Sequence, residues 1–178
     1  PAITGSGQGN VADLLLSDTP PPAQAQRILE PMGLRDTQRA LTNLRLLAGT
    51  RPLSEDFLRL AILAGDMLRL TADPDMALNN WQRFVETLAD PAAHYADLLN
   101  QPRRLEVLLG ILATSQFLAD TLVRHAEIMT WATDPEILNR DFEVTALQAD
   151  LRPALAAAGQ THEEHLDAIR QFRRRHLL

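Results

Sequence analysis

The 178-residue chain carries 17 basic and 23 acidic side chains, a net charge of −6, with 46% hydrophobic residues and no cysteine. The missing thiols exclude a disulfide framework, a thiolate nucleophile and a thiolate metal site, and the acidic balance argues against general nucleic-acid binding, which relies on neutralising phosphates. No apolar run approaches the roughly 20 residues that span a bilayer, and no basic patch with an apolar stretch opens the chain as in a signal peptide, so the sequence reads as cytoplasmic.

Composition also decides the fold class. There are 32 Leu and 25 Ala against 5 Val and 7 Ile, and aromatics are only 4%. Leu and Ala lose little freedom in a helix, whereas strands favour the branched and aromatic residues that are scarce here. We expect an all-α protein, a multi-helix bundle of short antiparallel helices. Residues 1–22 read as a flexible N-terminal tail, with room for a short turn of helix over Val11–Asp18 before three prolines, and 23–178 as one helical domain.

In chain order, Ala23–Met32 is short and stops near Gly33. Thr37–Ala48 follows, with Asp36 as N-cap, Gly49 as its stop and Leu41, Leu44 and Ala48 on one face. Ser54–Thr71 carries the stripe Phe57, Leu60, Ala61, Ala64 and Leu68. Asp73-Pro74, Asp90-Pro91 and Asp134-Pro135 each pair an N-cap with a proline at the first helical position, where a missing N–H is harmless. Asp75–Leu88 places Leu78, Trp81, Val85 and Leu88 on one side, and Arg103–Thr114 does the same with Leu105, Leu108, Leu109 and Leu112. After a break at Thr114-Ser115 come Phe117, Leu118, Thr121 and Leu122. Val144, Leu147, Leu151 and Leu155 mark another helix, kinked or restarted at Pro153. Thr161 and Glu164 form a capping box for a last helix that turns Leu166, Ile169, Phe172 and His176 inward. The Asp-Pro pairs are unevenly spaced, so no fixed repeat supports a solenoid.

Few residues suggest chemistry. His162-Glu163-Glu164-His165 spaces its histidines three apart where a zincin helix needs four, and no third ligand is evident, so it reads as a solvated helix start. Arg170, Arg173, Arg174 and Arg175, beside His176, form the one basic cluster; without interleaved aromatics it suits an acidic neighbouring domain or a favourable helix C-terminus more than RNA. The pair Asn79-Asn80 sits inside a helix that asparagine does not favour, which suggests side-chain bonds to nearby backbone, and Trp81 reads as core. His94, Tyr95 and His125 are isolated, and there is no nucleophile elbow, P-loop or dinucleotide-binding turn.

The stretch from Asp73 to Phe84 (DPDMALNNWQRF) resembles the helical region of glutamine synthetase adenylyltransferases, which carry a similar DPD-x-ALNN-x-x-RF phrase. The resemblance continues through Leu108–Asp120 (LLGILATSQFLAD) and Leu122–Glu127, with Ala126 where the family usually has proline. Upstream it takes in Leu34-Arg35-Asp36, and downstream Ile169–His176 is similar to the arginine-rich helix that leads into the family's catalytic core. It covers roughly Gln24–Leu178.

That resemblance implies a parent enzyme that transfers AMP from ATP to a tyrosine of glutamine synthetase and removes it by phosphorolysis, using Mg²⁺ held by a Gly-…-Ser-Asp-x-Asp motif. The only Ser-Asp here, Ser17-Asp18, is followed by Thr19-Pro20, so the family's metal carboxylates map onto no position of this chain. We therefore expect no catalytic or metal residue and no cofactor in the chain itself, with ATP and Mg²⁺ belonging to a nucleotidyltransferase domain beyond it. Expected partners are that domain and glutamine synthetase, with Arg170, Arg173 and Arg174 at the interdomain contact. The alternative is a free-standing helical interaction scaffold without enzymatic activity.

Overall fold

The computed structural model describes residues 9–50, 54–134, 144–157 and 161–176. Among them the chain is all-α, with eleven α-helices, one short 3-10 turn and no strand. The helices are α1 (Val11–Leu16), α2 (Pro22–Leu29, extended by the 3-10 turn Glu30–Met32), α3 (Thr37–Ala48), α4 (Glu55–Leu68), α5 (Pro74–Val85) and α6 (Pro91–Asn100). They continue with α7 (Pro102–Thr114), α8 (Gln116–Arg124), α9 (Ile128–Ala132), α10 (Val144–Ala157) and α11 (His162–His176). The chain divides into two compact units, Pro1–Ala126 and Glu127–Leu178.

Helix boundaries follow local chemistry. The Asp36 carboxylate accepts from the Arg39 N–H at 3.0 Å, Asp73 from Met76 at 2.9 Å and Asp90 from Ala93 at 3.0 Å. Each cap satisfies a donor that has no partner within its helix and contributes about 1 kcal/mol. Pro74 and Pro91 occupy the first helical positions, as their Asp-Pro pairs suggest. Ser115 is extended (φ −152°, ψ 126°) and separates α7 from α8 at the expected break. The third pair, Asp134-Pro135, reaches outside the described residues.

In the first unit α5 lies against α3 on one side and α7 on the other, while α4 packs on α1 and α6. Phe57, Trp81, Leu105, Leu108, Leu109 and Leu112 are completely buried, so the α4, α5 and α7 stripes meet in one core. Its scarce aromatics cluster, with the Phe57 ring 6.4 Å from Trp81 and 4.9 Å from Tyr95. Burying each such side chain contributes about 1.5–3 kcal/mol. The Tyr95 hydroxyl donates to the Leu47 carbonyl at 2.7 Å, satisfying one of the last carbonyls of α3.

Three expectations are refined by what is observed. The short turn of helix allowed for over Val11–Asp18 is present as Val11–Leu16, and its Val11, Leu14 and Leu15 are buried. Asn10 caps it, accepting from the Ala12 N–H, while Asp13 accepts from the Asn10 N–H. Phe117 is 56% exposed, because α8 turns Ala119, Thr121 and Leu122 to the core instead. And α5 ends at Val85, leaving Leu88 in the following turn.

In the second unit α10 packs on α11. Pro153 lies inside α10, which runs unbroken from Val144 to Ala157, rather than starting a new helix; the Val144 and Leu147 side chains lie outside the described residues. The capping box is present, with the Thr161 N–H donating to Glu164 at 2.9 Å and the Glu164 N–H to Thr161 Oγ1 at 3.3 Å. Of the four residues expected inward on α11, Leu166 and Phe172 are half-buried, Ile169 is 43% exposed and the His176 side chain lies outside the described residues.

The turn before α3 has one strict steric requirement. Gly33 sits at φ 83°, and a Cβ there would lie 2.8 Å from Pro74 Cγ at the start of α5. Both the left-handed backbone and the contact exclude a side chain. We expect Gly33→Ala to lower unfolding stability by about 2 kcal/mol in urea denaturation; an unchanged midpoint would show that the turn and Pro74 separate freely.

Candidate functional site

The asparagine pair singled out in the sequence anchors the polar contacts of the first unit. Asn80 is fully buried. Its Nδ2 donates to the Leu112 carbonyl at 3.1 Å and to Gln116 Oε1 at 3.3 Å. Its Oδ1 accepts from Arg83 at 3.1 Å and from Gln116 Nε2 at 3.2 Å. A primary amide has two N–H donors and two acceptor lone pairs, so all four are used. Leu112 is among the last residues of α7, whose carbonyls lack partners within the helix, so Asn80 caps α7 from the side.

The network extends to the surface. Arg83 pairs with Asp120 at 2.9 Å, and Gln116 Nε2 donates to the same carboxylate at 2.9 Å. Gln116, then Arg83, hold the Asp120 carboxyl below its usual range. On the other side of α5, Asn79 Oδ1 accepts from Arg39 at 2.7 Å. Asp75 accepts from the backbone N–H of Arg35 at 3.0 Å and of Asp36 at 3.3 Å, holding the entry to α3. Residues 34–36, 73–84 and 108–120, three separate phrases of the sequence, thus meet around one helix.

These groups hold helices together. Trp81 is core, as expected. His94 packs edge-on to Phe84 with ring centroids 5.5 Å apart. Burial pushes its pKa down to about 4, only partly opposed by Asp97, which leaves it neutral near pH 7. His165 Nδ1 lies 2.9 Å from the Thr161 carbonyl, a helix-start contact; the His162 side chain lies outside the described residues. Among the described residues no three His, Asp or Glu side chains gather as metal ligands, and no helix is long and apolar enough to cross a membrane.

Of the arginines expected at an interdomain contact, Arg170 pairs with Asp167 at 2.7 Å. Arg173 is exposed on the same helix, and the Arg174 side chain lies outside the described residues. Sequence reasoning missed Arg83, Gln116 and Asp120 as a group. Their types were visible, but no local signal tells that a residue on α5 faces two on α8.

Truncating the buried amide would leave the Leu112 carbonyl without its partner and the Gln116 amide half-satisfied. Asn80→Ala is therefore expected to cost about 2–3 kcal/mol, read by chemical denaturation of the chain. A loss within about 0.5 kcal/mol, the range of an ordinary surface change, would show that the network is incidental.

A family model described as glutamate-ammonia ligase adenylyltransferase matches residues 105–178. The chain is 28% identical over 182 residues to the bifunctional glutamine synthetase adenylyltransferase/adenylyl-removing enzyme of Thioalkalivibrio sulfidiphilus, covering 98% of this chain and 19% of that protein. It is 29% identical to the enzyme of the same description from Mycobacterium marinum, over 86% of this chain and 16% of that one. A counterpart from Bifidobacterium longum is 28% identical over 57% of this chain and 9% of its own. No solved structure matches. The chain spans less than a fifth of the length of these relatives, and its similarity is to that part of the glutamate-ammonia ligase adenylyltransferase family.

Proposed function

We propose that the chain is a non-catalytic helical part of a larger enzyme that attaches AMP to glutamine synthetase and removes it. The observation that carries this reading is the Asn80 network, in which two phrases shared with the family meet as fully satisfied structural contacts. A group whose hydrogen-bonding capacity is exhausted by the fold supplies rigidity and has nothing left for substrate. The sequence also lacks a Ser-Asp-x-Asp motif, and two-metal nucleotidyl transfer without carboxylate ligands has no means of stabilising the developing charge.

In this reading ATP and Mg²⁺ are bound by a separate nucleotidyltransferase domain of the parent protein, which works in the cytoplasm on glutamine synthetase. The helical part positions that domain. Arg170, Arg173 and Arg174, on the last turns of α11, face it, where cations also complement the helix C-terminus.

Assayed alone with MgATP and glutamine synthetase, the 178-residue chain should transfer no AMP and show no saturable MgATP binding by calorimetry, whereas the longer protein containing it should label the synthetase. AMP transfer by the chain alone would overturn the non-catalytic role; a longer protein that leaves the synthetase unlabelled would overturn the proposed activity. Arg173→Glu with Arg174→Glu should slow transfer by the longer protein without moving the unfolding midpoint of the isolated chain.

A further inference from the structure

At the corner between α6 and α7 two buried nitrogens, His94 Nε2 and Arg104 Nε, have no hydrogen-bond partner among the described residues. His94 lies in the first turn of α6. Its ring stands edge-on to Phe84 of α5, centroids 5.5 Å apart, and 6.0 Å from the ring of Tyr95. Arg104, in the first turn of α7, donates through its terminal nitrogen to Asp97 at 2.6 Å. The other oxygen of Asp97 accepts from Gln101 at 3.1 Å, so this carboxylate ties the end of α6 to the start of α7.

Such a corner tolerates a neutral ring and resists a charged one. An imidazolium carries an N–H on both nitrogens, and the one on Nε2 would be a charged, buried donor with nothing to accept it. The Arg104 Nε–H is already a donor of that kind. The start of α6 adds the positive end of a helix dipole. Two charges act on the ring: Asp97 favours the proton and the Arg104 guanidinium opposes it, while α5 presents the Phe84 ring and no charged group of α4 or α5 contributes. Burial outweighs Asp97, holding the folded His94 at about 4 against an ordinary 6.5. The folded value lies below the unfolded one, so this contribution to stability is complete above about pH 6.5 and is lost as pH falls towards about 4.

We propose that the α6–α7 corner is an acid-sensitive latch, which releases α6 from α4 and α7 when His94 takes up a proton. Helix α6 suits local release, since it spans ten residues of which Tyr95 and Leu98 are the buried ones. Release places the imidazolium and the Arg104 Nε–H in water, where both find acceptors. It also parts the Tyr95 hydroxyl from the Leu47 carbonyl, uncovering the end of α3. The latch does not rest on the adenylyltransferase reading.

The test is NMR of the whole chain between about pH 7 and pH 5, following the His94 imidazole and the exchange of backbone amides. The open form binds one proton more than the closed form. Protection of the α6 amides, corrected for intrinsic exchange, should therefore fall about tenfold per pH unit below about pH 6.5, from a lower starting protection than that of α5. His94 itself should keep the signals of a neutral ring at about pH 5.5. His94→Gln, which cannot take up the proton, should abolish the slope in α6, and Arg104→Gln, which removes the opposing charge, should raise the His94 titration and shrink the loss. A His94 that titrates near its ordinary value in the folded chain, or an unchanged slope in His94→Gln, would overturn the latch. Should His94→Gln fail to fold, the titration of His94 in the unaltered chain decides alone.

Discussion

The first unit depends on one buried amide being completely satisfied. Asn80 lies at zero exposure, where a polar group without partners would cost more than a hydrogen bond contributes. The cost is offset only if α7 ends where it does and α8 begins where it does. The break at Ser115 brings the Leu112 carbonyl and the Gln116 amide to the same side, within 3.1–3.3 Å of the Asn80 Nδ2. A continuous helix through Ser115 would bond the carbonyl internally and turn Gln116 away. The break is thus as much a part of the network as the side chains.

Around that point the forces divide by character. Apolar burial from Phe57, Trp81 and the α7 leucines supplies most of the driving force and is indifferent to small rotations. The polar groups supply register, since Asn80 and Gln116 can pair in only one alignment of α5 against α8. The Arg83–Asp120 pair is about one-third exposed on each side, so water screens it and its contribution is small; it places Gln116 more than it stabilises. Trp81 shows the other side of this balance: its indole N–H has no acceptor among the described residues, although the ring is buried.

What was legible in the sequence was local. Asp36, Asp73 and Asp90 cap helices because cap chemistry spans three residues, and the stop at Gly49 and break at Ser115 are equally short-range. Periodicity placed Leu105, Leu108, Leu109 and Leu112 correctly because α7 is covered along one face. It failed for Phe117 and Ile169, since a helical period shows which residues share a face but not whether a neighbour covers it. It left α1 as a short turn rather than a packed element because six residues span fewer than two helical turns, too few to show a period. The odd asparagine pair did signal that something beyond propensity was at work. Its distant partners, Leu112, Gln116 and Arg39, could only be found in the folded chain. The resemblance to adenylyltransferases rests on word order along the chain, and in the fold those words supply contact surfaces of α5, α7 and α8.

The most direct test of this account is a double-mutant cycle between Asn80→Ala and Gln116→Ala, measured by equilibrium unfolding. Two reciprocal amide bonds in a buried site predict a coupling of about 1 kcal/mol or more, with the double variant less destabilised than the sum of the singles. Strict additivity would contradict it, leaving α5 and α8 held by apolar packing alone.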